Sequence, residues 1–180
     1  MSVITRTAAT AALLLASACS GQPEVLEPDP TAATSTSRVP PSLPSQAKDA
    51  TQEGAASFTA HWIETSDYAA LTGDVEPLQR ISASDCSGCT RFIDLYEETY
   101  ANGGAFKGGE RRLLPPLDVS RLNDSTFDVT VNAEAAAGQF RRTASGETTK
   151  SKKETSRVTY TVKFEEGRWR MLFILLEEPS

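Results

Sequence analysis

From residue 127 to residue 176 apolar and polar side chains alternate, the period that puts every second residue on one face of a strand. A two-residue turn at Ser145-Gly146 would set Phe127 opposite Phe164, Val129 opposite Val162, Val131 opposite Tyr160 and Ala133 opposite Val158. The same register places Asp128 beside Lys163, Glu134 beside Arg157 and Thr130 beside Thr161 on the other face. Apolar residues meet apolar ones and acids meet bases, as cross-strand pairing requires. A second turn at Glu166-Gly167 pairs Phe164 with Trp169, Val162 with Met171, Tyr160 with Phe173 and Val158 with Leu175. The row Phe164, Val162, Tyr160 and Val158 then lies between two apolar rows, which predicts core rather than site. A first strand near residues 117–122 turns into this hairpin at Asn123-Asp124-Ser125, and two offsets both pair its Val119 with a valine.

Upstream the period becomes helical. Phe58, Trp62, Thr65 and Ala69 share one face of a helix capped by Asp49 or Thr51 and running to about Leu71. Gly73 suits the position just past its end. Val75, Leu78 and Ile81 predict a short second helix with Pro77 in its first turn. A third, from about Thr90 to Ala101, buries Phe92, Leu95, Tyr96 and Thr99 or Tyr100, and Asn102-Gly103-Gly104 ends it. Gly103-Gly104 and Gly108-Gly109 lack the strand-loop-helix setting of a phosphate cradle and read as turn residues. Helices followed by an antiparallel meander make an α+β fold, with amino-terminal helices on a curved sheet.

The last strand is apolar on both faces: Trp169, Met171, Phe173 and Leu175 on one, Leu172, Ile174 and Leu176 on the other. Such a strand is covered twice or left open to a partner. Leu172, Ile174 and Leu176 are therefore the candidate interface, including for a homodimer through the sheet face.

The first 47 residues are not patterned for a core. Arg6 precedes an acid-free run, residues 8–18, centred on Leu13-Leu14-Leu15, too short to span a bilayer and shaped like a signal peptide of residues 1–18. It ends in Ala16-Ser17-Ala18-Cys19-Ser20-Gly21, which resembles a bacterial lipobox, although alanine stands at Ala16 where leucine is usual. That resemblance implies acylation of Cys19, attachment to the lipid bilayer and an extracytoplasmic address. Ordinary secretion with cleavage after Ala18 is the alternative. Residues 19–47 follow as a Pro-, Ser- and Thr-rich tether with too little apolar surface to offset the entropy of ordering it. The folded domain is expected over residues 48–178.

A net charge of −6 gives no reason to expect nucleic acid as a partner. Three cysteines and one histidine are too few for a Cys/His zinc site; a carboxylate-rich site is the alternative, but no calcium-loop spacing appears, and no metal or cofactor is expected. With Cys19 accounted for, Cys86 and Cys89 of Cys86-Ser87-Gly88-Cys89 are the remaining pair in an oxidising compartment, which predicts a structural disulfide. A thioredoxin-like redox role is the alternative, without the βαβ setting such motifs have. His61 with Asp67 and Tyr68 is a candidate acid/base cluster, and His61, Trp62, Tyr68 and Tyr100 are candidate pocket residues. No nucleophile-elbow serine appears, and no catalytic residue is assigned. Arg141, Arg142, Lys150, Lys152 and Lys153 gather at the hairpin tip. They read either as charges that keep a long β edge soluble or as a contact for anionic polymer or headgroups.

The arrangement resembles the nuclear transport factor two-like superfamily, the cystatin-like cone of helices on a curved sheet shared with ketosteroid isomerase. Phe58 to Tyr68, Thr72-Gly73-Asp74 with Pro77-Leu78, Cys86-Ser87-Gly88-Cys89, and Tyr100 with Gly103-Gly104 resemble a family of actinobacterial lipoproteins of unknown function with that fold. This resemblance covers roughly residues 50–176 and implies no activity, so it carries over no catalytic residue. The expected function is a membrane-tethered, non-catalytic domain that binds an envelope protein or small ligand. The competing readings are an enzyme using the cone pocket on a small apolar substrate, with Tyr68, Tyr100 or His61 as acid/base groups, and a thiol-disulfide protein.

Overall fold

The computed structural model describes residues 39–177; the segment expected to be a signal peptide, Cys19 and most of the segment expected to be a tether lie outside them. A 3-10 turn, Ser45–Lys48, leads into helix α1, Gln52–Thr72. The Thr51 side chain caps α1 by accepting from the Gly54 amide at 3.0 Å, and Gly73 ends it in the left-handed region at φ 78°. Any side chain at Gly73 would meet the Tyr100 ring, whose hydroxyl donates to the Ala70 carbonyl at 3.0 Å. Packing reaches back to Ala47, the last residue of the segment read as tether. Gly54 makes that approach feasible, because a Cβ there would strike the Asp49 carbonyl.

Helix α2, Glu76–Arg80, is short, and helix α3, Ser87–Ala101, begins earlier than its periodicity indicated because Cys86 caps it. Strands β1 (Gly103–Gly108), β4 (Gly138–Thr143) and β5 (Thr148–Ser151) form one sheet in the order β1-β4-β5. Strands β2 (Arg111–Arg121), β3 (Thr126–Ala135), β6 (Glu154–Glu165) and β7 (Arg168–Leu176) form the other, in the order β2-β3-β6-β7. All the pairings within both sheets are antiparallel. The expected single hairpin thus divides between two sheets. β1 escaped the sequence reading because its glycines look like turn residues. At Gly104 a side chain would collide with the Arg141 carbonyl oxygen, so glycine is what lets β1 lie against β4.

The hairpin register differs from expectation by two residues. Phe127 faces Val162, Val129 faces Tyr160, Val131 faces Val158 and Ala133 faces Ser156. Gly146 donates to the Thr143 carbonyl at 3.1 Å and Ala144 to Asn102 at 2.9 Å, which moves the turn toward the amino terminus. A two-residue slip leaves every side chain on its expected face, so the core is as predicted. The polar pairs change: Asp128 accepts from Thr161 at 2.7 Å, Thr130 meets Thr159 at 2.8 Å, and Glu134 pairs with Arg112 and Lys153, each at 2.8 Å. β2 takes the offset with Val119 opposite Val129, and its ladder shifts between Leu114 and Asp118, where Pro115 and Pro116 have no N–H to donate.

Strand β7 carries the one shift that alters faces. Phe164–Trp169 and Val162–Met171 pair as expected, then a bulge between Thr161 and Val162 sets Tyr160 opposite Ile174 and Val158 opposite Leu176. Ile174 therefore turns inward beside Tyr160, while Phe173 and Leu175 point out and are 46% and 49% exposed. The core lies between α1, α3 and the concave face, where Trp169 stacks on Phe58 at 5.9 Å and meets the Phe127 ring at a tilt, 5.5 Å between centroids.

Two glycine substitutions separate collision from backbone strain. Gly104→Ala should cost more than about 3 kcal/mol, since rigid backbone must move. Gly109→Ala has open space and only a left-handed backbone to pay for, so about 1 kcal/mol is expected. Chemical denaturation of both variants measures this, and equal losses would contradict the packing account.

Candidate functional site

Arg111 opens β2, delivered there by Gly108 and Gly109, whose left-handed φ values of 67° and 82° carry the chain from one sheet into the other. Its backbone amide donates to Asp67 Oδ2 at 2.7 Å and its Nε to Asp67 Oδ1 at 2.8 Å. Its Nη2 donates to Ser66 Oγ at 2.7 Å, and Ser66 is 3.3 Å from the Tyr96 hydroxyl. The guanidinium lies 5.1 Å above the Phe92 ring, a cation–π arrangement. Adjacent residues of α1, two residues of α3 and the start of β2 thus converge on one mostly buried ion pair.

Burial pushes the Asp67 carboxyl above the usual carboxylate range, against the pull of Arg111. Both carboxylate oxygens are nevertheless held by Arg111 donors, so the group is a clamp rather than a free base. Burial also pushes the Tyr160 phenol up to about 12, so it keeps its proton at any physiological pH. Tyr160 is 4% exposed and, among the described residues, its hydroxyl has no hydrogen-bond partner.

Phe92 and Arg111 separate two hollows. The inner one, about 160 Å³, lies between the helices and the concave face and is lined by Trp62, Phe92, Arg111, Val158, Tyr160 and Ile174. Ala135, Glu154 and Leu176 stand at its rim. The outer one, about 390 Å³, lies toward the three-stranded sheet, against Asp67, Tyr96, Phe106 and Phe140.

The residues expected to form a pocket do not meet there. Trp62 lines the inner cavity and donates its Nε1–H to Ser82 Oγ at 3.0 Å. His61 is buried on α1, held below its usual pKa by burial, and among the described residues its Nδ1 has no partner. Tyr68 points outward and donates to Asp74 at 2.8 Å, and Tyr100 packs over Gly73. A helix places residues seven apart on nearly the same face, but Tyr68 falls at the edge of the buried stripe. The Asp67 carboxylate, for its part, turns to Arg111 rather than to His61 or Tyr68.

The proposed interface divides as well. Ile174 and Leu176 belong to the inner cavity, while Leu172 lines an open groove beside Asp85 and Asp94. The outward apolar pair is Phe173 and Leu175, because the bulge reverses the alternation.

Cys86 and Cys89 form a disulfide, and both are fully buried. That burial withholds the sulfurs from an attacking thiolate and fits the structural role. Gly88 between them lets α3 sit against β7, since a Cβ there would come within 3.2 Å of Ile174.

The basic residues do not form one cluster. Lys153 pairs with Glu134, Arg142 lies 5.7 Å over the Phe140 ring, and Lys152 is exposed. Arg141 shares a sheet face with Lys107 and Lys150, and the two lysines line a shallow hollow with Gln139.

Sequence reasoning missed Arg111, Ser66, Phe92 and Tyr96 as site residues and assigned Tyr160 to the core. The available signal was Tyr160 itself: a phenol in an otherwise apolar row carries a polar tip that must end at a partner or a cavity.

Helices laid on the concave face of a curved antiparallel sheet, with a cavity at the open end, define an NTF2-like, cystatin-like cone. The chain belongs to a family of unknown function, DUF6318, whose sequence pattern matches residues 30–173. No curated protein matches it. Among solved structures it is similar to the intermembrane space region of the chloroplast protein ARC6, with TM-score 0.53 and 15% identity over 72% of this chain and 98% of that one. It is also similar to an NTF2-like protein of unknown function in nutrient uptake from Rhodospirillum rubrum, with TM-score 0.45 and 20% identity over 67% and 98%. A third is an uncharacterised protein with a cystatin-like fold from Caulobacter vibrioides, with TM-score 0.41 and 13% identity over 68% and 85%. These likenesses concern the fold alone.

The Tyr160 phenol gives a pH test. Its folded value, about 12, exceeds the ordinary value near 10, so its contribution to stability is complete below about pH 10. Between about 10 and 12 the unfolded chain loses this proton first, and the fold should weaken by on the order of 2 kcal/mol. Denaturant titrations of the parent and Tyr160→Phe across that range measure it. Parallel curves would show that Tyr160 is not the buried, late-ionising group.

Proposed function

We propose that this protein is an extracytoplasmic lipoprotein, tethered to the membrane through acylated Cys19, whose cone binds a small ligand without transforming it. The observation that carries the binding half is that both oxygens of Asp67, the carboxylate beside Arg111, are engaged, while the inner cavity's own carboxylate, Glu154, stands exposed at its rim. The groups first considered as acid/base residues fit catalysis poorly: Tyr68 and Tyr100 are committed to Asp74 and Ala70, and His61 is sequestered in the core. The lipoprotein half is supported by the sequence Ala16-Ser17-Ala18-Cys19 and by the tether composition that follows. Two acyl chains anchor stably where one would not.

In a bacterial host, the full chain should incorporate an alkyne-tagged palmitate and sediment with membranes. Cys19→Ser should abolish the label and release the protein into the soluble envelope fraction. A labelled Cys19→Ser variant, or an unlabelled parent, would overturn the lipoprotein reading.

A further inference from the structure

Tyr160 is a polar group of the inner cavity, more deeply buried than Ser156 and Glu154, that the fold leaves without a hydrogen bond among the described residues. Its ring is packed between Val158 and Val162 along β6 and opposite Ile174, yet its hydroxyl, among the described residues, meets no acceptor. The hydroxyl opens onto the cavity, where an acceptor in the adjoining space would meet it directly. Because this phenol stays protonated, it offers one hydrogen-bond donor and no charge.

Charge selects against ions at the same place. Arg111 and Asp67 neutralise each other, so an ionic ligand entering the cavity would be buried without an unpaired counter-charge. Glu154 at the rim further disfavours anions. Apart from Ser156, the remaining walls, Trp62, Phe92, Val158 and Ile174 among them, are apolar. Size narrows the class again. About 160 Å³ is close to the roughly 150 Å³ of an engineered apolar cavity that admits benzene. Leu176, 64% exposed, stands at the mouth.

We infer that the inner cavity binds a small neutral apolar molecule, of one-ring size, that carries a single carbonyl or ether oxygen placed on the Tyr160 hydroxyl. This rests on the binding reading above and specifies its ligand. The apolar walls supply affinity by removing ligand surface from water, and the phenol supplies orientation and selectivity for an acceptor.

Isothermal titration calorimetry of the full chain with three probes tests this: acetophenone, toluene and benzoate. Acetophenone should bind measurably, toluene about five- to tenfold more weakly, and benzoate not at all, as expected for one neutral hydrogen bond. Tyr160→Phe should reduce acetophenone to the toluene level and leave toluene unchanged. Ala133→Leu, chosen to fill the cavity from the sheet side, should abolish both, with circular dichroism and thermal unfolding reporting that the fold persists. If benzoate binds best, or Tyr160→Phe binds acetophenone as the parent does, the ligand class is wrong while the binding reading stands. If no probe binds the parent, the cavity reading itself falls.

Discussion

The ion pair between Arg111 and Asp67 joins the last third of α1 to the first residue of β2, and much of the molecule is arranged by that tie. A guanidinium and a carboxylate removed from water are tolerated only together and with their remaining hydrogen bonds satisfied. Ser66 takes one donor and Phe92 takes the face of the guanidinium, so α1 and α3 are both fixed relative to the four-stranded sheet. The two hollows lie on either side of this pair. Its mutual neutralisation also makes the inner cavity electrically quiet, although charged residues border it.

Close approach of backbone is the second constraint. Gly104 admits β1 to β4, Gly73 admits the Tyr100 ring to the end of α1, and Gly88 admits α3 to β7. Gly88 lies inside the disulfide turn, so Cys86 and Cys89 brace the place where helix and edge strand come nearest. The bridge spans too few residues to stabilise the whole chain strongly, roughly 2 kcal/mol in the loop-entropy picture. Its burial and position at the cap of α3 account for it better than thiol chemistry does.

The α+β class, the three helices, the Gly73 stop and the apolar rows of β3 and β6 were legible in the sequence, because two-residue and helical periods are local. The slip between β3 and β6 did little harm, since a shift of two keeps each side chain on its face. A bulge is different. The extra residue in β7 reverses the alternation, so Ile174 joins the cavity and Phe173 and Leu175 face outward. Nothing in Met171-Leu172-Phe173-Ile174 marks where the bulge falls, because both faces are apolar there. The site was hidden for another reason. Asp67 and Arg111 are 44 residues apart, and the loop that unites them is built from glycines that look like turn residues. Trp62 was found because it lies in the helical stripe, whereas Tyr160 was visible but assigned by its neighbours rather than by its hydroxyl.

The central claim is that Arg111 and Asp67 act as one buried neutral unit, and a double-mutant cycle on stability tests it most directly. Arg111→Met and Asp67→Asn alone should each lose about 3 kcal/mol or more, because each strands a buried charge. Together they should lose little more than either alone, a coupling of at least about 2 kcal/mol. Losses that add to within about 0.5 kcal/mol would contradict the account, since they would mean the two charges stand independently in the folded protein.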